Sequence, residues 1–409
     1  MNNNKRMHQF IVDYDKVNIE QIHHQNEVII IGGDHHNTLG VIRGLGKVNI
    51  KPYVAIISKK SKNSFVLKSK YVEKGWIFPS EEVCLKFIFD NFSNNEYKPI
   101  LISTSDTATS CLDLNYEKLI KHFFIPNGGS NGALTRLMNK EILCKLALEE
   151  GLNIPKSWVC IDDTFINEIK FPCIIKPIKS IMGSKDDIKI VNEKEELKQF
   201  YQKKNISNYL FQEYLDKEFE FQLIGCSLNG GEEVIIPGYS KIFRSAYNTN
   251  TGFLEYKLSN SLDKELNIDL DKCKRLIKKC KYTGLFSIEF IKTKEQINYF
   301  LEINFRNDGN AYAVTAAGVN LPYIFVSHFT KKIKMNNALQ QNRKIIVMPE
   351  FVDFGQVIQH NISFFTWLKD VYKTDCFLVY DKKDLRPFLS EFCIMIRMVF
   401  RKIVKIKLH

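Results

Sequence analysis

The chain begins with 26 mostly polar residues and then turns apolar in short bursts. Val28-Ile29-Ile30-Ile31 is a continuous apolar run of buried-strand length, stopped by Gly32-Gly33-Asp34. A helical stretch over 37–47 and a second strand over 52–57 follow, and a further strand, Ile100-Leu101-Ile102, ends in Ser103-Thr104-Ser105-Asp106. Strands alternating with helical stretches predict a parallel α/β sheet over 27–125. Ligands of such sheets sit beyond the carboxyl ends of the strands, so Gly32 to Asn37 and Ser103 to Thr107 form a functional rim. On it, Asp34, His35, His36, Asn37, Ser105 and Asp106 are candidates for substrate selection. Each also reads as a turn former or helix cap, and the paired histidines read as caps first.

The pattern changes at 126. Pro126 to Gly132 is a linker, and a helix is predicted over about 133–150, closed by Gly151 and Pro155. Short strands at 158–161, 173–176, 188–191 and 209–214 make this part α+β. Residues 284–304, GLFSIEFIKTKEQINYFLEIN, alternate around a polar turn, Lys292 to Gln296. A hairpin centred between Glu295 and Gln296 sets Glu289 opposite Glu302, with Cβ atoms about 4.5–5.5 Å apart. Asn304 shares their face, and Ile288, Phe290, Leu301 and Ile303 form the apolar one. Opposed carboxylates repel each other unless a hard divalent cation lies between them, and magnesium accepts these oxygen ligands while leaving positions for phosphates. The competing interpretation is a solvent-facing hairpin with two unrelated glutamates.

The residues around the hairpin weigh against that alternative. Arg306, just past Asn304, has the fork geometry to hold a carboxylate or a transferring phosphoryl group. Lys176 ends an apolar strand, and the loop after it, Ile178 to Lys185, contains Gly183, Ser184 and two more lysines, a composition suited to closing over a triphosphate. Tyr209 to Phe221 runs through an acidic corner with Glu213 and Glu218, where a carboxylate can accept ribose hydroxyls. There is no G-x-x-x-x-G-K-[ST] and no G-x-G-x-x-G, which argues against a P-loop and a nicotinamide-dinucleotide site.

Composition adds bounds. A chain of 409 residues suggests two or three domains, and 44% hydrophobic with 25% charged residues is usual for a soluble globular protein. The net charge of +12 raises nucleic acid as a partner, but no recognition-helix, zinc-finger or RNA-binding signature accompanies it, so none is expected. The ten cysteines form no C-x-x-C pair and none sits at ligand spacing with a histidine, which predicts reduced core residues and a cytoplasmic setting. No signal peptide and no membrane-spanning run is expected. Residues 331–409 begin with a basic linker, Lys331 to Lys334, and end in an apolar, basic stretch over 387–407. That stretch predicts a docked terminal helix, with peripheral contact to the inner face of an anionic membrane as the alternative. A homodimer is compatible with all of this.

Taken in order, Lys140, IIKP (Ile174 to Pro177), Gly183-Ser184, QEYL (Gln212 to Leu215), Glu218, SIEF (Ser287 to Phe290) and LEINFR (Leu301 to Arg306) resemble the ATP-grasp superfamily. Within it they resemble carboxylate–amine ligases, and Asn304 to Pro322 looks most like the D-aspartate ligase branch. The resemblance covers about 27–330. It implies an N-terminal extension (1–26), a Rossmann-like pre-ATP-grasp domain (27–125), two ATP-grasp lobes (126–208 and 209–330) and a C-terminal extension (331–409). By resemblance, Lys140 and Lys176 contact ATP phosphates or the adenine edge, and Gln212 and Leu215 meet adenine with Glu213 beside them. Glu218 binds ribose, Glu289, Glu302 and Asn304 hold one or two Mg²⁺, and Arg306 stabilises an acyl phosphate. The activity implied is ATP-dependent joining of a small-molecule carboxylate to an amine, in a setting such as cell-envelope or polysaccharide precursors. Two departures concern loop geometry: Phe305 stands where the family often has proline, and the loop after Lys176 has fewer glycines. Lys241 and Arg244 are both candidates for the γ-phosphate. The alternatives are another ATP-grasp chemistry, of carboxylase or carbamoyl-phosphate type, and an ATP-binding regulatory or scaffolding protein without turnover.

Overall fold

A computed structural model describes residues 26–59, 63–159, 168–178, 189–203, 209–245, 251–330 and 343–406. The first layer has four parallel strands, β1 (Val28–Gly32), β2 (Tyr53–Ile57), β3 (Lys74–Phe78) and β4 (Ile100–Ser103), in the order β3-β2-β1-β4. Helices α1 (His36–Gly46), α2 (Glu81–Phe92) and α3 (Asp106–Leu114) accompany them. One face of β1, Val28 and Ile30, packs with Leu39 and Ile42 of α1, whereas Ile29 and Ile31 pack with Cys84, Ile88 and Leu112 of α2 and α3. Burial on both faces is why β1 is an unbroken apolar run rather than an alternating one. Strand β3 is a partly exposed edge, and it lacks the continuous run that marks its neighbours.

The helix expected over 133–150 is two helices, α4 (Ala133–Leu137) and α5 (Lys140–Glu149). The break lies at Asn139, whose side chain accepts from the N–H groups of Glu141 and Ile142 and so caps α5. A small antiparallel sheet follows, β5 (Ser157–Val159), β6 (Cys173–Pro177), β7 (Lys189–Val191) and β8 (Tyr209–Glu213), in the order β5-β8-β6-β7. Residues 214–216 link β8 to β9 (Lys217–Leu228), the first strand of a much larger sheet.

That sheet has eight strands. With β10 (Glu233–Ile235), β11 (Gly238–Ser245), β12 (Gly252–Leu258), β13 (Gly284–Thr293), β14 (Asn298–Asn304), β15 (Lys344–Met348) and β16 (Cys376–Phe377), its order is β14-β13-β9-β11-β12-β15-β16, β10 pairing with β9. One face, with Phe221, Leu223, Phe286, Ile288 and Phe290, packs on α5 and α6 (Leu270–Lys279) through Cys144, Ala147, Leu276 and Ile277. The other, with Ile224, Cys226, Leu254 and Leu285, shares one core with α7 (Tyr312–Ala317), α8 (Leu321–Thr330) and α1. The large sheet is thereby joined to the first layer.

Strand β15 comes from the 331–409 stretch and pairs with β12, so the large sheet continues past residue 331. Helices α9 (Glu350–Ile358), α10 (Phe364–Lys373) and α11 (Leu385–Ile406) follow, and Phe388 of α11 packs on Phe351 and Tyr380. Among the described residues, no helix is long and apolar enough to cross a membrane.

Candidate active site

The hairpin of β13 and β14 sets Glu289 directly opposite Glu302, the register read from the sequence. A one-residue bulge follows Glu289, so Phe300 rather than Leu301 faces Phe290, and the turn shifts along the chain to Thr293–Ile297. Across neighbouring strands, Glu302, Glu289, Gln222 and Ser240 form one row, and Asn304 pairs with Ser287 beside it. Glu289 and Asn304 are only 8% and 7% exposed. Asn304 Nδ2 donates to Glu289 Oε1 at 2.9 Å and to Ser287 Oγ at 3.2 Å.

Two lysines meet this row. Lys140 Nζ lies 3.0 Å from Glu302 Oε2, and the backbone N–H of Lys140 donates to Ile178 O at 3.1 Å, tying α5 to the end of β6. Burial pulls the pKa of Lys140 down, but Glu302, with Glu289 and Asp106 adding to it, lifts it above the usual lysine value. Lys176, from β6, feels Lys140, Glu302 and Glu289 together. Burial and the Lys140 charge pull its pKa down to about 8 against the opposing pull of Glu302.

Arg306 spans the first layer and the end of β14. It donates to Asp106 through Nε at 2.8 Å and Nη2 at 3.4 Å, to Asn304 Oδ1 at 3.1 Å and to Asn307 O at 3.2 Å. The rim docks beside it: Asn307 N donates to Ser103 O, the Asn307 side chain donates to Asn37 Oδ1, and Asn37 Nδ2 donates back to the Asn307 carbonyl. Gly32 belongs to this contact, because a Cβ there would collide with the Thr104 hydroxyl. His35 caps α1 through Asn37 N, as its position suggested, and Ser105 caps α3 through Ala108 N. His36 is buried, and burial followed by the neighbouring His35 holds it uncharged. Asp34 accepts from Ser64 and from the N–H groups of Phe65 and Val66, which fastens that loop to the rim.

The other expected site residues lie on β8, β9 and β11, in the β8–β9 link, or outside the described residues. Gln212 donates to Ser157 Oγ at 2.9 Å, and Glu213 accepts from Lys156 N at 2.7 Å. Leu215 lies in the β8–β9 link, and the exposed Glu218 accepts from the Gln296 amide at 2.6 Å. Gly183 and Ser184 lie outside the described residues. Lys241 is on the opposite face of β11 from Ser240, with Nζ 4.1 Å from the Phe219 ring centre. Arg244 is paired with Asp353 and Asp370 of α9 and α10, at 2.8 and 2.9 Å.

Sequence reasoning missed Gln222, Ser287, Asp308 and Asn310. Gln222 links Glu289 to Ser240 and Asn310, while Asp308 accepts from Ser287 Oγ and Asn310 N. The available signal was an uncharged polar residue inside an apolar strand, in FQLIG and LFSIEF. Among the described residues, no three His, Cys, Asp or Glu side chains converge as metal ligands. A cation would therefore rest on two carboxylates, the Asn304 oxygen and substrate phosphates. The two opposed carboxylates, Glu289 buried and Glu302 partly exposed, fit a hard cation. Asn304 would have to turn, since its oxygen now faces Arg306 and its NH₂ faces Glu289.

The same arrangement of layers occurs in solved structures. An L-amino acid ligase from Bacillus licheniformis superposes with a TM-score of 0.58 at 14% identity, covering 80% of this chain and 81% of that one. N5-carboxyaminoimidazole synthetase from Staphylococcus aureus gives 0.61 at 14%, covering 82% and 85%. The biotin carboxylase domain of Hydrogenobacter thermophilus 2-oxoglutarate carboxylase, solved with MgADP, ADP and bicarbonate, gives 0.59 at 15%, covering 79% and 74%. A family profile described as ATP-grasp in the biosynthetic pathway with Ter operon matches residues 260–350, which contain the hairpin and Arg306. The chain has the ATP-grasp fold. Residues 214–216 connect the small sheet to the large one. The carbamoyl phosphate synthase large chain of Thermoanaerobacter sp. (strain X514) is 26% identical over 217 residues, 51% of this chain. The match covers 20% of that protein, so the chain spans only a part of the curated relative's length.

Proposed function

We propose that the chain is an ATP-dependent ligase that activates a carboxylate as an acyl phosphate and passes the acyl group to an amine. The observation that carries this is the opposed Glu289–Glu302 pair with Lys140 on Glu302 and Lys176 near enough to feel all three charges. A carboxylate is a poor electrophile, and its phosphorylation turns the leaving group into phosphate. The γ-phosphoryl group moves to a carboxylate oxygen and ADP leaves. The amine then attacks the acyl carbon, the C–N bond forms, and phosphate departs as the amine loses a proton. No protein nucleophile is needed.

In this reading Lys140 and Lys176 offset the phosphate charge, and Gln212, Glu213, Leu215 and Glu218 surround the adenosine. Glu289, Glu302 and Asn304 would hold one or two Mg²⁺, which supply charge compensation to the phosphates. Arg306 steadies the acyl phosphate. MgADP in the H. thermophilus structure and the name of the B. licheniformis ligase support the nucleotide and the C–N chemistry. The finer assignment, to the D-aspartate ligase branch, rests on Asn304 to Pro322, and an acceptor among envelope precursors would go with membrane-surface contact through 387–407.

The test is phosphate release from ATP and Mg²⁺ with amino acids and sugar acids supplied in pairs. The expected result is release that requires both a carboxylate and an amine. ADP formation that no amine stimulates would point to a different ATP-grasp chemistry. Nucleotide binding without any ADP would point to a regulatory role.

A further inference from the structure

Arg306 lies two residues beyond the end of β14, yet its carboxylate partner belongs to the first layer, 200 residues away. Asp106 takes two of its N–H groups and stands in the first turn of α3, where the helix N-terminus favours a negative charge. The pair is mostly buried, with side-chain exposures of 18% for Arg306 and 26% for Asp106. A guanidinium this sheltered needs a carboxylate. The others that act on it are Asp308 and Glu289. Asp308 already accepts from Ser287 and Asn310. Glu289 sits one link away, since Arg306 donates to Asn304 and Asn304 donates to Glu289.

We propose that Asp106 is a positioning residue for the cation site: by holding Arg306 from the first layer, it keeps the guanidinium off Glu289 and leaves that carboxylate to a divalent cation. The inference rests on the ligase reading only for the cation, not for the substrates. It also explains why Asn304 can turn. With its guanidinium anchored on Asp106, Arg306 can give up the Asn304 oxygen without losing its counter-charge.

The experiment is Mn²⁺ binding to the full chain with ADP present, followed by electron paramagnetic resonance. The proteins are wild type, Asp106→Ala, Arg306→Gln and the double variant. Loss of one negative charge acts at long range in both backgrounds, so only the difference between them reports on the hold. Asp106→Ala is expected to weaken Mn²⁺ binding about tenfold when Arg306 is present and by less than about twofold in Arg306→Gln. Asp106→Asn keeps one acceptor oxygen and is expected to fall between; it also serves the comparison if the alanine variant does not fold. An equal loss in both backgrounds, or no loss in either, overturns the proposal while leaving the ligase reading intact. A wild-type protein that binds neither Mn²⁺ nor ADP overturns both.

Discussion

A lysine in the first turn of a helix lies at the wrong end of the helix dipole, and Lys140 of α5 is such a residue. Its compensation is Glu302, itself pressed against Glu289. Locally unfavourable charges that cancel one another only in the folded protein are expected where phosphates bind. Glu302→Ala or Asn304→Ala should lower ATP turnover by about 10²-fold or more while the thermal transition survives. Unchanged turnover in either variant removes them from the cation site. Lys176 makes a pH prediction. Its pKa of about 8 means that the free protein begins to lose this charge just above neutral pH, whereas bound phosphates favour the protonated form. ATP affinity should be level below about pH 8 and weaken by up to about tenfold per pH unit above it. Calorimetric titration of wild type and Lys176→Arg checks this, since the arginine variant should lack the alkaline decline.

Elements differ in how much of their geometry is local. The register of the β13–β14 hairpin follows from the two-residue period of a strand, which is why the Glu289–Glu302 pair could be read directly. The bulge that exchanges Leu301 for Phe300 could not, because an extra residue interrupts the two-residue period from which the register was read. The helix read as continuous over 133–150 has apolar residues at helical spacing on both sides of residue 139. Only the capping bonds of Asn139 show that a new helix starts there. Asn139→Ala should cost about 1 kcal/mol of stability by urea unfolding. Because this cap sets the helix start that presents Lys140, nucleotide binding should weaken in the same variant under fully native conditions. A stability loss with unchanged nucleotide affinity would separate the cap from the site.

At the scale of the whole molecule, the 331–409 stretch acts as a clasp on the first layer. Arg43 of α1 is 0% exposed, pairs with Asp384 at 3.0 Å and also donates to the carbonyls of Leu378 and Val379. Asp384 in turn accepts from Ser69 and from Lys70 N. Breaking a buried pair from one side strands a charge, so Asp384→Ala should destabilise the protein by about 3–5 kcal/mol. Chemical denaturation measures this, and a loss below about 1 kcal/mol would mean that the pair is not the clasp.

The sequence alone determined the β1 strand and its glycine turn, the opposition of Glu289 and Glu302, and the order of motifs that resembles ATP-grasp enzymes. The first two depend on neighbours within about twenty residues, where strand and helix periods fix which side chains share a face, and the third is a resemblance read along the chain from Lys140 to Arg306. The tertiary structure decided the rest: Lys140 on Glu302, Asp106 on Arg306, Arg244 on Asp353, and Arg43 on Asp384. These are pairings between charges far apart in the chain, and no local period encodes which carboxylate a buried cation will meet. That choice is made when the sheets pack and water leaves, because a charge sheltered from water must then take whichever counter-charge the packing has brought within reach.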